Sequence, residues 1–149
     1  MNKQATEKNP NASGKDTHFL YVEDDALSQQ VMGMLVTKLL GYNNLTIFKD
    51  SQNFEERLNA LPTPPDVIFL DIHIQPYNGY ELLRMIRANS RYDNAIIIAL
   101  TASVMSNEVE TLRQAGFKNL IGKPINAITF PKYVNELLAG RSVWDASWA

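Results

Sequence analysis

Short apolar runs alternate with longer stretches in which apolar residues recur every three or four positions, and the pattern repeats five times from His18 onward. His18-Phe19-Leu20-Tyr21-Val22, Val67-Ile68-Phe69-Leu70, Ala95-Ile96-Ile97-Ile98-Ala99-Leu100 and Leu120-Ile121-Gly122 have the length and the β-branched and aromatic content of strands. The inner runs are continuous rather than alternating, which predicts strands covered on both faces. Strand and helix in regular alternation predict an α/β fold, a parallel sheet with helices on both sides.

The helical stretches carry start and stop signals. Leu27, Val31, Met34, Leu35 and Leu39 form a stripe that Gly41 ends. Phe54, Leu58 and Leu61 mark a second helix, stopped by Pro62, Pro64 and Pro65. Asn78 with Glu81 three residues on predicts a capping box opening a third helix through Leu82, Leu83 and Ile86. Ser106 is a candidate cap for a fourth, with Val109 and Leu112 inward and Gly116 at its end. The fifth carries Phe130, Tyr133, Val134, Leu137 and Leu138, and Pro131 requires it to start near Thr129. Residues 1–17 contain no Ile, Val, Leu or aromatic residue and read as a flexible polar tail. The folded domain is expected over 18–139, followed by a tail over 140–149 in which Trp144 and Trp148 are candidates for docking.

The strand ends carry the chemistry. The first run leads into Glu23-Asp24-Asp25, the second into Asp71, the third into Thr101 and the last into Lys123-Pro124. In a parallel sheet these positions meet at the carboxyl edge, where α/β proteins bind ligands. Two carboxylates 4 Å apart repel by about 4 kcal/mol at an effective dielectric near 20, so such a cluster calls for a cation. Oxygen-only donors suit Mg²⁺ better than Zn²⁺. Asp25 also fits the N-cap of the helix that begins beside it. Lys123 and Thr101 supply an ammonium and a hydroxyl for a phosphoryl group, and Asp71 a nucleophile able to form an acyl phosphate.

These residues, in this order, resemble the receiver domain of two-component response regulators. The resemblance rests on Tyr21-Val22-Glu23-Asp24, Ile68-Phe69-Leu70-Asp71, Ala99-Leu100-Thr101-Ala102 and Gly122-Lys123-Pro124, and covers about 18–139. Thirty residues separate Asp71 from Thr101 and twenty-two separate Thr101 from Lys123, the intervals of that family. The resemblance implies a flavodoxin-like, doubly wound, five-stranded parallel sheet in order 2-1-3-4-5. It implies Asp71 as phospho-acceptor, Asp24 as direct Mg²⁺ ligand with Glu23 acting through water, and the His73 main-chain carbonyl as a further ligand. Thr101 takes the place of the switch hydroxyl, Lys123 of the phosphate-binding lysine, and Gly79 of the glycine after the acceptor loop. Two positions depart from the family. Gln75-Pro76 stands where the proline falls one residue earlier, and Leu120 occupies the place of the switch aromatic, so a ring flip there is unavailable.

The implied activity is a signalling switch, not a metabolic enzyme: phosphoryl transfer from a histidine kinase or histidine phosphotransfer protein, and slow self-hydrolysis. A receiver-like interaction module that works without phosphorylation is the alternative. A haloacid-dehalogenase-like phosphatase is disfavoured because His73 stands where a second Asp belongs, and a nucleotide-binding protein because no Gly-rich loop follows the first strand. A net charge of -2 offers no footprint for DNA or an anionic membrane. The absence of cysteine fits a reducing cytoplasm, and no apolar run nears the ~18 residues of a membrane span. Ten residues after Ala139 leave either a stand-alone receiver or one cut from a longer protein.

Overall fold

Water reaches neither face of the inner strands, which are apolar apart from His18, Asp71 and Thr101 at their ends. The computed structural model describes residues 14–103 and 105–146, with only the backbone at Ser106. In it β1 (His18–Val22) and β3 (Val67–Asp71) are buried at every position, and β4 (Ile96–Thr101) at all but its first. With β2 (Asn44–Phe48) and β5 (Leu120–Gly122) they form a five-stranded sheet in the order β2-β1-β3-β4-β5, parallel at every pairing. This is the flavodoxin-like arrangement expected.

Alternate residues of each strand face opposite sides, so the sheet divides the core into two layers. Leu20, Val22, Ile68, Leu70, Ile97 and Ala99 pack with α2 (Phe54–Asn59), α3 (Gly79–Arg87) and α4 (Ser106–Ala115). Phe19, Tyr21, Val67, Phe69, Ile98 and Leu100 pack with α1 (Ala26–Gly33, continuing as a π-helical stretch Met34–Leu39) and α5 (Phe130–Leu138). Each fully buried Phe or Leu contributes roughly 1.5–3 kcal/mol, so both layers hold the strand ends in fixed positions.

The predicted punctuation of α3 is present in full. Glu81 N–H donates to Asn78 Oδ1 and Asn78 N–H donates to Glu81 Oε1, both at 2.9 Å. Thr129 occupies the N-cap position of α5, with Pro131 in its first turn.

Four expectations need correction. The α1 stripe is right only in part: Leu35 is buried and Val31 half-buried against the core, but Leu27, Met34 and Leu39 are exposed, and Met32 and Val36 are buried in their place. From Met34 the helix continues as a π-helical stretch, in which Leu40 N–H donates to Leu35 O five residues back, so beyond that point the face departs from a 3.6-residue repeat. Ser106 is the first helical residue of α4, and Met105 occupies the N-cap position without a side-chain hydrogen bond. Not all of 1–17 is detached. Residues 14–17 form a turn against the domain, with Thr17 buried and Lys15 Nζ donating to Leu40 O at 3.0 Å. Finally, the folded body extends past 139: 140–146 lie on the domain, and Trp144, one of the two docking candidates, is docked. Val143 is buried, and Trp144 forms a parallel bridge with Leu120. Residues 1–13 and Trp148 lie outside the described residues.

Candidate functional site

The strand register assembles the site. Val22 pairs with Leu70, so Glu23 and Asp71 come next on neighbouring strands. Asp71 pairs with Leu100, the residue before Thr101, and Thr101 pairs with Gly122, the residue before Lys123. Four side chains far apart in the chain therefore stand along one sheet edge. Lys123 N–H donates to Thr101 O at 3.0 Å, which ties the last two together through the backbone.

Glu23 is the most enclosed of the acids, with no exposed surface. Its Oε1 accepts from Tyr21 Oη at 2.7 Å and from Lys123 Nζ at 2.8 Å, and its Oε2 accepts from Asp25 N–H at 3.1 Å. A buried carboxylate is tolerated only with such partners. Burial, then the Glu23 hydrogen bond and charge, push the Tyr21 phenol above its ordinary range, so it remains a donor. Burial opposes the charge on Lys123, but the Glu23 hydrogen bond and the carboxylates of Asp71, Glu23 and Asp25 outweigh it and hold the ammonium above the ordinary lysine range.

Asp71 is 6% exposed, and its Oδ1 accepts from His73 N–H at 3.2 Å. Burial and the neighbouring Glu23 charge push its carboxyl up to about 6, against the pull of Lys123 and the His73 N–H. The carboxylate oxygens of Glu23, Asp24 and Asp71 lie within 4.8 Å of one another, with Asp24 exposed. Three acids offering only oxygen, one open to water, fit a hard divalent cation that keeps part of its hydration shell. Asp25 is not in this group. Its side chain caps α1, accepting from Ser28 N–H at 2.8 Å, and that bond holds its carboxyl below the ordinary range.

Thr101 is buried, and its hydroxyl accepts from Ser103 N–H at 3.0 Å, so it is engaged by its own loop. Gly79 abuts the acceptor loop: a Cβ there would stand 2.8 Å from Ile72 Cα and 3.3 Å from Asp71 O. Glycine is required by close approach, and Gly79 N–H donates to Ile72 O at 2.9 Å across that contact. The Lys123–Pro124 and Gln75–Pro76 peptides are both cis.

Sequence reasoning missed the roles of Tyr21, Tyr80 and Glu108. Tyr21 lies two residues before Glu23 on β1, hence on the same face, a signal that period-two reading contains. Glu108 of α4 accepts from Tyr80 Oη at 2.5 Å and lies 3.8 Å from the exposed His73 imidazole. Glu108 thus joins the start of α4 to α3 and the acceptor loop, a contact between distant segments that no local pattern announces.

A family model described as "Response regulator receiver domain" matches residues 19–135. Stress response regulator protein 1 of Candida dubliniensis is 26% identical over 108 residues, 72% of this chain and 37% of that protein. The chain therefore spans little more than a third of that relative's length. Polar-differentiation response regulator DivK of Brucella anthropi is 28% identical over 120 residues, 80% of this chain and 94% of that protein. The receiver domain of sensor histidine kinase PA1611 from Pseudomonas aeruginosa, solved with a magnesium ion coordinated in its active-site cleft, is similar at a TM-score of 0.71 and 26% identity. That similarity covers 83% of this chain and 98% of the other.

Proposed function

Because the chain belongs to the response regulator receiver family of two-component signalling, we propose that Asp71 accepts a phosphoryl group from a phosphohistidine and that this modification switches protein contacts. The donor is a histidine kinase or histidine phosphotransfer protein. The observation that carries the reading is the meeting of Asp71 with the Glu23–Lys123 pair and Asp24 at one sheet edge. An Asp71 oxygen forms the new P–O bond as the donor's P–N bond breaks, and the imidazole leaves with the electron pair. With its carboxyl at about 6, Asp71 is mostly ionised at pH 7 and can act as the nucleophile.

Glu23, Asp24, Asp71 and the His73 carbonyl are the groups that would hold Mg²⁺, which offsets phosphoryl charge when bound. Lys123, held beside the site by Glu23, offers its ammonium to a phosphoryl oxygen. Thr101 turns its hydroxyl from Ser103 to the same group. These two differential contacts supply the free energy that shifts the domain between states. The output surface is the face made by α4, β5 and α5, the elements that follow Thr101 and flank Lys123. The domain is a switch whose only chemistry is its own phosphorylation and hydrolysis, it works in the cytoplasm, and it reaches its effects through proteins rather than DNA or membrane.

Incubation with acetyl phosphate and Mg²⁺, followed by intact-mass measurement, tests the reading. One added phosphoryl group is expected, lost with chelator and in Asp71→Asn. An equal gain in that variant would rule Asp71 out.

A further inference from the structure

After α5 the chain turns at Gly140 and runs back alongside β5. Leu120 N–H donates to Val143 O and Asp145 N–H donates to Leu120 O, both at 2.8 Å. This is one parallel bridge, so the segment is a strap on the sheet edge rather than a full sixth strand. Its side chains reach all three elements of the proposed output face. Trp144 packs against the layer holding α4, with the Arg113 guanidinium 4.3 Å from its ring. Val143 enters the layer holding α5, and its N–H donates to Asn119 Oδ1 at 2.9 Å. Asp145 Oδ2 accepts from Tyr133 Oη of α5.

The strap is also joined to the site. β5 is three residues long, and Lys123 follows it directly. A cavity of about 310 Å³ extends from Lys123 to Asp145, lined between them by Gly122, Pro124, Asn126 and Tyr133. Docking is not fully satisfied: the Trp144 indole N–H is buried with no hydrogen-bond partner among the described residues. A buried donor without a partner favours the competing, solvated state. An exposed sheet edge, once uncovered, pairs readily with another extended segment.

We propose that Ser142–Ala146 is the chain's own occupant of the α4–β5–α5 surface, docked while Asp71 is unmodified and released on phosphorylation to admit an extended segment of a downstream protein. The proposal rests on the phospho-acceptor reading above. The incoming segment would place a small aliphatic side chain toward α5 and an aromatic one toward α4, as Val143 and Trp144 do.

The chain has two tryptophans, so full-length Trp148→Phe leaves Trp144 as the sole reporter. Its emission and acrylamide quenching are measured with and without Mg²⁺ and beryllofluoride, alongside the acetyl phosphate mass test on the same variant. Blue-shifted, protected emission is expected at rest, with a red shift and roughly a threefold rise in quenching once the mimic binds and the population moves. Tyr133→Phe, which removes the hydroxyl that holds Asp145 and also its contact with Thr129, should shift the unmodified protein part of the way. A phosphoryl mass gain with unchanged Trp144 signals overturns the strap and leaves the acceptor reading standing. No mass gain overturns both. Protection that appears only as protein concentration rises would place the strap on a second copy and refute an intrachain role.

Discussion

Asp71→Asn should make the metal-free protein more stable at neutral pH, although it abolishes the proposed activity. In the fold the Asp71 carboxyl is pushed up to about 6 from an ordinary 3.8, mainly by burial and then by Glu23. A raised acid binds its proton more tightly folded than unfolded, so stability is full below the unfolded value, falls as pH rises from about 4 to 6, and carries the whole penalty above that. At 1.36 kcal/mol per tenfold change in proton affinity the penalty at pH 7 is about 3 kcal/mol. Asn, neutral at every pH, escapes it but keeps an acceptor for the His73 N–H. For a domain of this size 1 kcal/mol corresponds to roughly 2–4 °C in Tm, so a rise of several degrees is expected. Urea unfolding of both proteins in chelator, from pH 4 to 8, reads the difference directly. The gap should close toward pH 4 and shrink at pH 7 when Mg²⁺ is added to the parent protein. A variant that is less stable at pH 7, or a gap independent of pH, would refute the claim that this carboxylate is held under electrostatic strain.

Gly79→Ala should cost about 1–3 kcal/mol by overpacking, because its Cβ meets the Ile72 backbone, and it should slow acetyl phosphate modification; unchanged unfolding and rate would contradict that contact. Asp24→Ala should weaken Mg²⁺ binding far more than Asp25→Ala, while Asp25→Ala alone lowers stability through the lost α1 cap; isothermal titration and thermal melts separate the two, and equal losses of affinity would be the wrong result. Thr101→Ala should leave Asp71 modifiable yet suppress the beryllofluoride-induced change in amide exchange over 101–123, and a full response in the variant would remove Thr101 from the switch. Leu120→Ala, at a buried position paired with Trp144, should cost about 2–5 kcal/mol as a large-to-small core change; a surface-like loss below 1 kcal/mol in urea would contradict its packing.

The inner strands and the site were legible for a shared reason. A strand buried on both faces must be apolar until the chain leaves the sheet, so the residue ending each run marks the edge where Glu23, Asp71, Thr101 and Lys123 meet. β2 was not isolated, because an edge strand reading Asn44-Leu45-Thr46-Ile47-Phe48 is only half-buried except at Phe48. The face of α1 was misread in part: past Met34 its hydrogen-bond pattern widens, a change the side-chain period does not record, and Leu27 in the first turn is apolar yet exposed. The docked tail depends on a free β5 edge and on Arg113 and Tyr133, contacts that exist only after the domain folds. The Tyr80–Glu108–His73 group was invisible for the same reason: it joins three separate segments.

Reductive trapping at the modified residue tests the central claim most directly. Borohydride converts an aspartyl phosphate to homoserine, and peptide mass spectrometry then locates it. After acetyl phosphate and Mg²⁺, homoserine is predicted at position 71 and at none of the other acids of the site, and it should be absent when the metal is chelated. Homoserine at Asp24 instead, or no conversion at Asp71 in protein that has gained a phosphoryl mass, would contradict the account.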